Sequence, residues 1–183
     1  GMPGMPEHDL RYDMADEYVE LCKQLWGSWE PDAVVRDRAT GTYADFTKVK
    51  PIHFEGTYYK SRGPLNCVPS PQGRPAFVQA GGSPRGRQFA AMTADSIIAP
   101  SMGVAGLKAY RDDVRARAAA GGRDPDEIKV LFVVAPILGE TEEEAKAKAA
   151  RIVEAPDYCE KALALIASIP DIDLSKFYLA PPP

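Results

Sequence analysis

The sequence predicts an α/β fold in which helices cover a mostly parallel sheet. Three observations carry that expectation. The second half alternates short apolar runs with longer amphipathic ones. Runs such as Phe132-Val-Val-Ala-Pro-Ile137 are too uniformly hydrophobic for strands with one wet face. Glycine and proline punctuate the junctions, as at Gly81-Gly-Ser-Pro84 and Gly121-Gly122.

The elements follow in order. Residues 12–29 read as a helix, because Ala15, Val19, Cys22, Leu25, Trp26 and Trp29 recur at three- and four-residue steps. Asp13, Asp16 and Glu17 occupy its early turns, where the helix dipole favours negative charge. The polar, turn-rich stretch from Glu30 to Lys50 reads as an excursion over the surface. Two short strands are expected at 52–55 and 57–61, turned about Glu55-Gly56. Four prolines make 63–75 an irregular connection.

Strand and helix then alternate. Strands are expected at 76–80, 95–99 and 129–138, and helices at 85–92 and about 107–120, the latter closed by Gly121-Gly122. A further helix starts at Thr141, which stands in capping-box spacing to Glu144, and runs to about 154. An amphipathic helix over 158–169 precedes a Pro181–Pro183 tail expected to lack order. The whole reads as one domain, 1–183. Its parts are a helix and excursion (1–50), a hairpin and connection (51–75), β/α units (76–156), and a terminal helix and tail (157–183).

Composition narrows the partners. A chain of 183 residues with 45% hydrophobic and 26% charged content is ordinary for a globular domain. Its net charge of −4 argues against nucleic acid, whose phosphates call for excess Lys and Arg. No apolar run approaches the ~20 residues that span a bilayer, and the first residues lack a signal-peptide pattern. Cys22, Cys67 and Cys159 are scattered and form no CxxC, which predicts reduced thiols in the cytoplasm. With two histidines, His8 and His53, there is no ligand set for a metal. His53 alternates with Ile52 and Phe54, so a solvent-facing or ordinary hydrogen-bonded role is expected rather than a catalytic one. Arg111, Arg115 and Arg117, with Asp112 and Asp113, read as a solvated helix face.

The stretch that carries chemistry is Gln79-Ala-Gly-Gly-Ser-Pro-Arg-Gly-Arg87, between a strand and a helix. Ser83 is placed as an N-cap and Pro84 as the first helical residue. Gly81 and Gly82 let the backbone turn sharply and give a ligand room. Open amides, a helix dipole and a hydroxyl together make an anion site, to which Arg85 and Arg87 add charge. The same residues equally suit a well-capped turn with no ligand. The stretch is neither a Walker A loop nor GxGxxG.

Several strings recur in a fixed order: Asp9-Leu-Arg-Tyr-Asp-Met-Ala-Asp-Glu-Tyr18, Leu25-Trp-Gly-Ser-Trp29, Pro51-Ile-His-Phe-Glu-Gly56, Arg62-Gly-Pro-Leu-Asn66, Pro71-Gln-Gly-Arg-Pro75, and Gln79-Ala-Gly81 followed by Ser83. From about Glu7 to about Pro156 this order resembles the luciferase-like flavin-dependent monooxygenases, in their nitrilotriacetate and dibenzothiophene-sulfone branch. The resemblance implies a (β/α)8 TIM barrel. It also implies reduced FMN supplied by a separate reductase and used with O2 on a small organic substrate. It places the FMN phosphate on Ala80, Gly81, Gly82, Ser83, Gly86 and Arg87. Gly82 departs from the family, which often carries Ala or Ser there.

Family members have further strands before the first helix, and a complete barrel takes ~250 residues. The expectation is therefore an incomplete barrel, its C-terminal β/α units, with a β-hairpin excursion. No catalytic residue is carried over. Unpaired edges and an uncovered face predict a homodimer or higher oligomer, or completion by a separate N-terminal barrel part. Three readings remain open: an FMN-dependent monooxygenase, a non-catalytic FMN or phosphate binder, and an interaction protein without ligand.

Overall fold

Three of the apolar runs lie side by side in parallel and leave a helix N-terminus at the carboxyl edge of their sheet. The computed structural model describes residues 4–100 and 103–167. The chain divides into two compact units, Gly1–Val134 and Ala135–Pro183.

The first unit opens with α1 (His8–Trp26), which begins earlier than the apolar periodicity indicates and ends earlier too. Gly27 closes it, its amide donating to the Lys23 carbonyl at 3.0 Å. Trp29 therefore leaves the helix and bridges Val49 in antiparallel fashion. The excursion is more ordered than its composition suggests. It contains a hairpin, β1 (Val34–Asp37) and β2 (Thr42–Ala44), folded against a fully buried Ala33. Asp37 makes the turn by accepting from the Ala39 amide at 2.8 Å and the Thr40 hydroxyl at 2.7 Å.

A second hairpin pairs β3 (Phe54–Glu55) with β4 (Lys60–Ser61). Its strands are shorter than expected because the turn spans four residues, with the Gly56 amide donating to the Tyr59 carbonyl at 2.9 Å. His53 precedes the strand at φ 48° and is exposed, so it faces solvent but outside the ladder. Glu17 of α1 holds this turn: its carboxylate accepts from the amides of Thr57, Tyr58 and Tyr59 at 2.9, 2.8 and 2.7 Å.

The sheet is β5 (Val78–Ala80), β6 (Ser96–Pro100) and β7 (Lys129–Val133) in that order, all parallel. Two crossover helices, α2 (Pro84–Thr93) and α3 (Gly103–Ala120), join them. β7 stops at Val133 rather than Leu138, where its pairing with β6 runs out at Pro100. Pro136, three residues on, has no amide to extend a ladder.

Successive residues face opposite sides of the sheet. Ile97, with Val130 and Phe132, packs on Ala90, Ala91 and Ala94 of the α2 segment and on Tyr110, Val114 and Ala118 of α3. The alanines let the helices approach closely, and Ile97 and Val114 are fully buried. The opposite face is open: Val78, Leu131 and Val133 remain 57%, 56% and 59% exposed. Parallel sheets are ordinarily covered on both faces, so this unit presents one bare apolar wall.

The second unit holds α4 (Glu142–Val153) and α5 (Tyr158–Ala167). Thr141 caps α4 by accepting the Glu144 amide at 3.2 Å, while the Glu144 carboxylate takes the Glu140 amide at 2.7 Å. The expected last turn of α5 at 168–169 and the tail at 181–183 lie outside the described residues.

Candidate functional site

The site begins where β5 runs out at Ala80. Ser83 stands at the mouth of α2 in extended conformation (φ −67°, ψ 155°), and its hydroxyl accepts the Gly86 amide at 3.0 Å. Its carbonyl takes the Arg87 amide at 2.9 Å. Pro84 has no amide, so Ser83 and Pro84 form the helix start that the sequence predicts. Among the described residues, the amides of Gly82 and Ser83 donate to no protein acceptor. They lie beside the positive end of the α2 dipole.

Tyr12, from the first turns of α1, completes the loop. A Cβ at Gly86 would stand 2.6 Å from the Tyr12 hydroxyl and 3.0 Å from the Ser83 hydroxyl, so only glycine lets the three groups meet. The Tyr12 ring packs against Phe89, with ring centroids 5.6 Å apart. Its hydroxyl has no hydrogen-bond partner among the described residues. Tyr12 stands too far from the loop in sequence for any local pattern to find it, although it belongs to the recurring string Asp9–Tyr18.

The two arginines are committed elsewhere. Arg85 donates to Asp13 at 2.9 Å and Asp16 at 2.5 Å and lies over the Tyr12 ring at 5.4 Å. Arg87 donates from Nε to the Gly82 carbonyl at 2.9 Å and pairs with Asp113 at 3.1 Å. The charges expected to be free are thus paired with carboxylates, and the groups left open at the loop are amides and hydroxyls. Asp113 and Arg117, expected on a solvated face, are half-buried and tie into this network, joined at 3.0 Å. Burial alone raises the Asp113 pKa, but its bonds to Arg117 and Arg87 outweigh that and lower it. Tyr110 of α3 donates its hydroxyl to the Gly81 carbonyl at 2.5 Å. Burial pushes its pKa up, so it remains a donor at neutral pH.

Of the residues singled out from sequence, Gly81, Gly82, Ser83 and Gly86 gather at one point and Ala80 leads into it. Arg87 braces the loop from behind. His8 bonds Asp9 at 2.7 Å and meets the Tyr12 ring edge-on, with centroids 5.2 Å apart. No group of three or more His, Cys, Asp or Glu side chains among the described residues is arranged to hold a metal. No helix among them is long and apolar enough to cross a membrane.

Comparison with known proteins gives this geometry a context. The family model described as luciferase-like monooxygenase matches residues 1–176. The dibenzothiophene-sulfone monooxygenase of Rhodococcus erythropolis is 46% identical over 138 residues, covering 74% of this chain and 30% of that protein. A crystal structure of long-chain alkane monooxygenase superposes with a TM-score of 0.85 at 42% identity, covering 97% of this chain and 41% of that one. A riboflavin lyase, solved with modified FMN and substrate riboflavin, superposes with a TM-score of 0.84 at 40% identity, covering 96% and 39%. The chain thus spans about a third of the length of the curated relatives it matches. The sheet and its crossovers are a partial (β/α)8 barrel.

Proposed function

Because this chain belongs to the luciferase-like monooxygenase family, we propose that it carries the phosphate-binding part of an FMN-dependent monooxygenase. The observation that carries the reading is the donor set at one point: the open amides of Gly82 and Ser83 beside the hydroxyls of Ser83 and Tyr12. A phosphate offers acceptors only, so donors without competing acceptors fit it. The family relation and the riboflavin lyase solved with a modified FMN favour flavin over other phosphorylated ligands.

In the completed protein, reduced FMN supplies the chemistry that lets O2 oxidise a small organic substrate. This chain's residues bind and orient its phosphate end. The bare wall of Val78, Ile98, Leu131 and Val133 is then an interior face of the barrel, closed by the remaining β/α units. Such a wall excludes water from the reacting end of the cofactor. A separate reductase delivers the reduced flavin, and two or more copies associate through surfaces left uncovered.

Fluorescence titration of FMN and of riboflavin, which lacks the phosphate, tests the reading. The chain should prefer FMN, and Ser83→Ala or Tyr12→Phe should each weaken FMN by about tenfold, the worth of one charge-assisted hydrogen bond. Riboflavin affinity should hardly move. Equal affinities for the two flavins would remove the phosphate site.

A further inference from the structure

The structure assigns Tyr110 and Arg87 the role of orienting the phosphate loop, by holding its two carbonyls so that its two amides face the ligand. This rests on the phosphate reading above. The Gly81 carbonyl accepts the Tyr110 hydroxyl at 2.5 Å, and the Gly82 carbonyl accepts Arg87 Nε at 2.9 Å. The peptide bonds that follow, Gly81–Gly82 and Gly82–Ser83, are both trans. In a trans peptide the N–H lies antiparallel to the C=O of the same plane. Fixing each carbonyl from α3 and α2 therefore turns the Gly82 and Ser83 amides away from those helices.

Among the described residues, no other hydrogen bond reaches the Gly81 or Gly82 carbonyl. Gly82 is exposed, a Cβ there would meet no atom within 4 Å, and a glycine pair rotates freely. A flip of either plane would put a carbonyl where a donor stood and set its negative end against the phosphate. The clamp is itself braced. Arg87 lies over the Tyr110 ring at 4.8 Å and is gripped by Asp113, which Arg117 holds in turn. The positive charge of Arg87 is spent on Asp113, so its contribution runs through the loop. Preorganised dipoles of this kind cost nothing to reorganise when the ligand arrives.

The test compares the chain with Tyr110→Phe and Arg87→Lys. In the flavin-free state, Tyr110→Phe should move the carbonyl 13C resonance of Gly81 and the amide resonance of Gly82. With flavin, it should lower the preference for FMN over riboflavin by about tenfold. A merely structural loss would weaken both flavins equally and leave that ratio alone. Lysine keeps a cation at position 87 but cannot reach Asp113 and the Gly82 carbonyl together, so it too should lose the preference. An Arg87→Lys chain that keeps the preference would point to direct charge on the phosphate and overturn the assignment. So would a Tyr110→Phe chain with an unchanged ratio. Should the parent show no preference for FMN, the phosphate reading fails. The clamp is then decided by the flavin-free spectra, where an unmoved Gly81 carbonyl overturns it.

Discussion

At the amino edge of the parallel sheet the Asp95 carboxylate accepts two bonds from Arg74, at 2.7 and 2.8 Å, and a third from the Phe77 amide at 2.7 Å. At the carboxyl edge the Gly82 and Ser83 amides donate to no protein acceptor among the described residues. The first cluster satisfies itself: guanidinium, carboxylate and amide leave little for a ligand to add. The second keeps its carbonyls occupied and its amides free. One sheet thus satisfies its polar groups at one end and leaves donors open at the other, and under the proposed function those donors serve binding, the division expected of a barrel.

Asp95→Ala should have the largest effect, about 2 kcal/mol of lost stability after allowing for solvent screening of a part-exposed pair. Urea unfolding reads that loss, and the FMN-to-riboflavin preference should not change. A variant that loses preference as well would break the separation of the two edges. The same contrast appears with pH. Arg74 first, then the Phe77 amide, hold the Asp95 pKa at about 2, against an ordinary 3.8. Because the folded value is depressed, its stabilisation is present above pH 3.8 and lost as pH falls toward 2. FMN binding should weaken much earlier, as the phosphate dianion takes up a proton near pH 6.

Gly86→Ala comes next. The new methyl would crowd the Tyr12 hydroxyl, and that strain is partly offset by better helix propensity, leaving about 1 kcal/mol of destabilisation. Displacing Tyr12 should weaken FMN several-fold while riboflavin is spared. Equal loss for both flavins would mean that Tyr12 serves packing rather than phosphate.

The smallest effect belongs to Glu17→Gln, in a region with neither role. Burial works against the Glu17 charge, but the amides of Tyr59, Tyr58 and Thr57 outweigh it and lower the pKa. Hydrogen exchange at those three amides should quicken in the variant while the sheet and the loop keep their rates. A change spreading to Gly82 or Ser83 would link the hairpin to the site through α1 and blur the comparison.

Local chemistry determined much of this molecule. The apolar runs at 76–80, 95–99 and 129–133 make parallel strands because they suit burial on both faces. Ser83, Pro84 and Thr141 start helices because a hydroxyl or a missing amide answers the unpaired end. The hairpin within 30–50 leaves no signal in the sequence because its strands, four and three residues long, are largely exposed and carry no alternation. The partners of the site could not be read that way. Arg85 reaches Asp13 across 72 positions and Tyr110 reaches Gly81 across 29, and no periodicity links residues so far apart. Only the packing of α1 and α3 around α2 decided that Tyr12 would face the loop, that Arg85 and Arg87 would pair with Asp13, Asp16 and Asp113, and that the Gly82 and Ser83 amides would be left without a protein acceptor among the described residues.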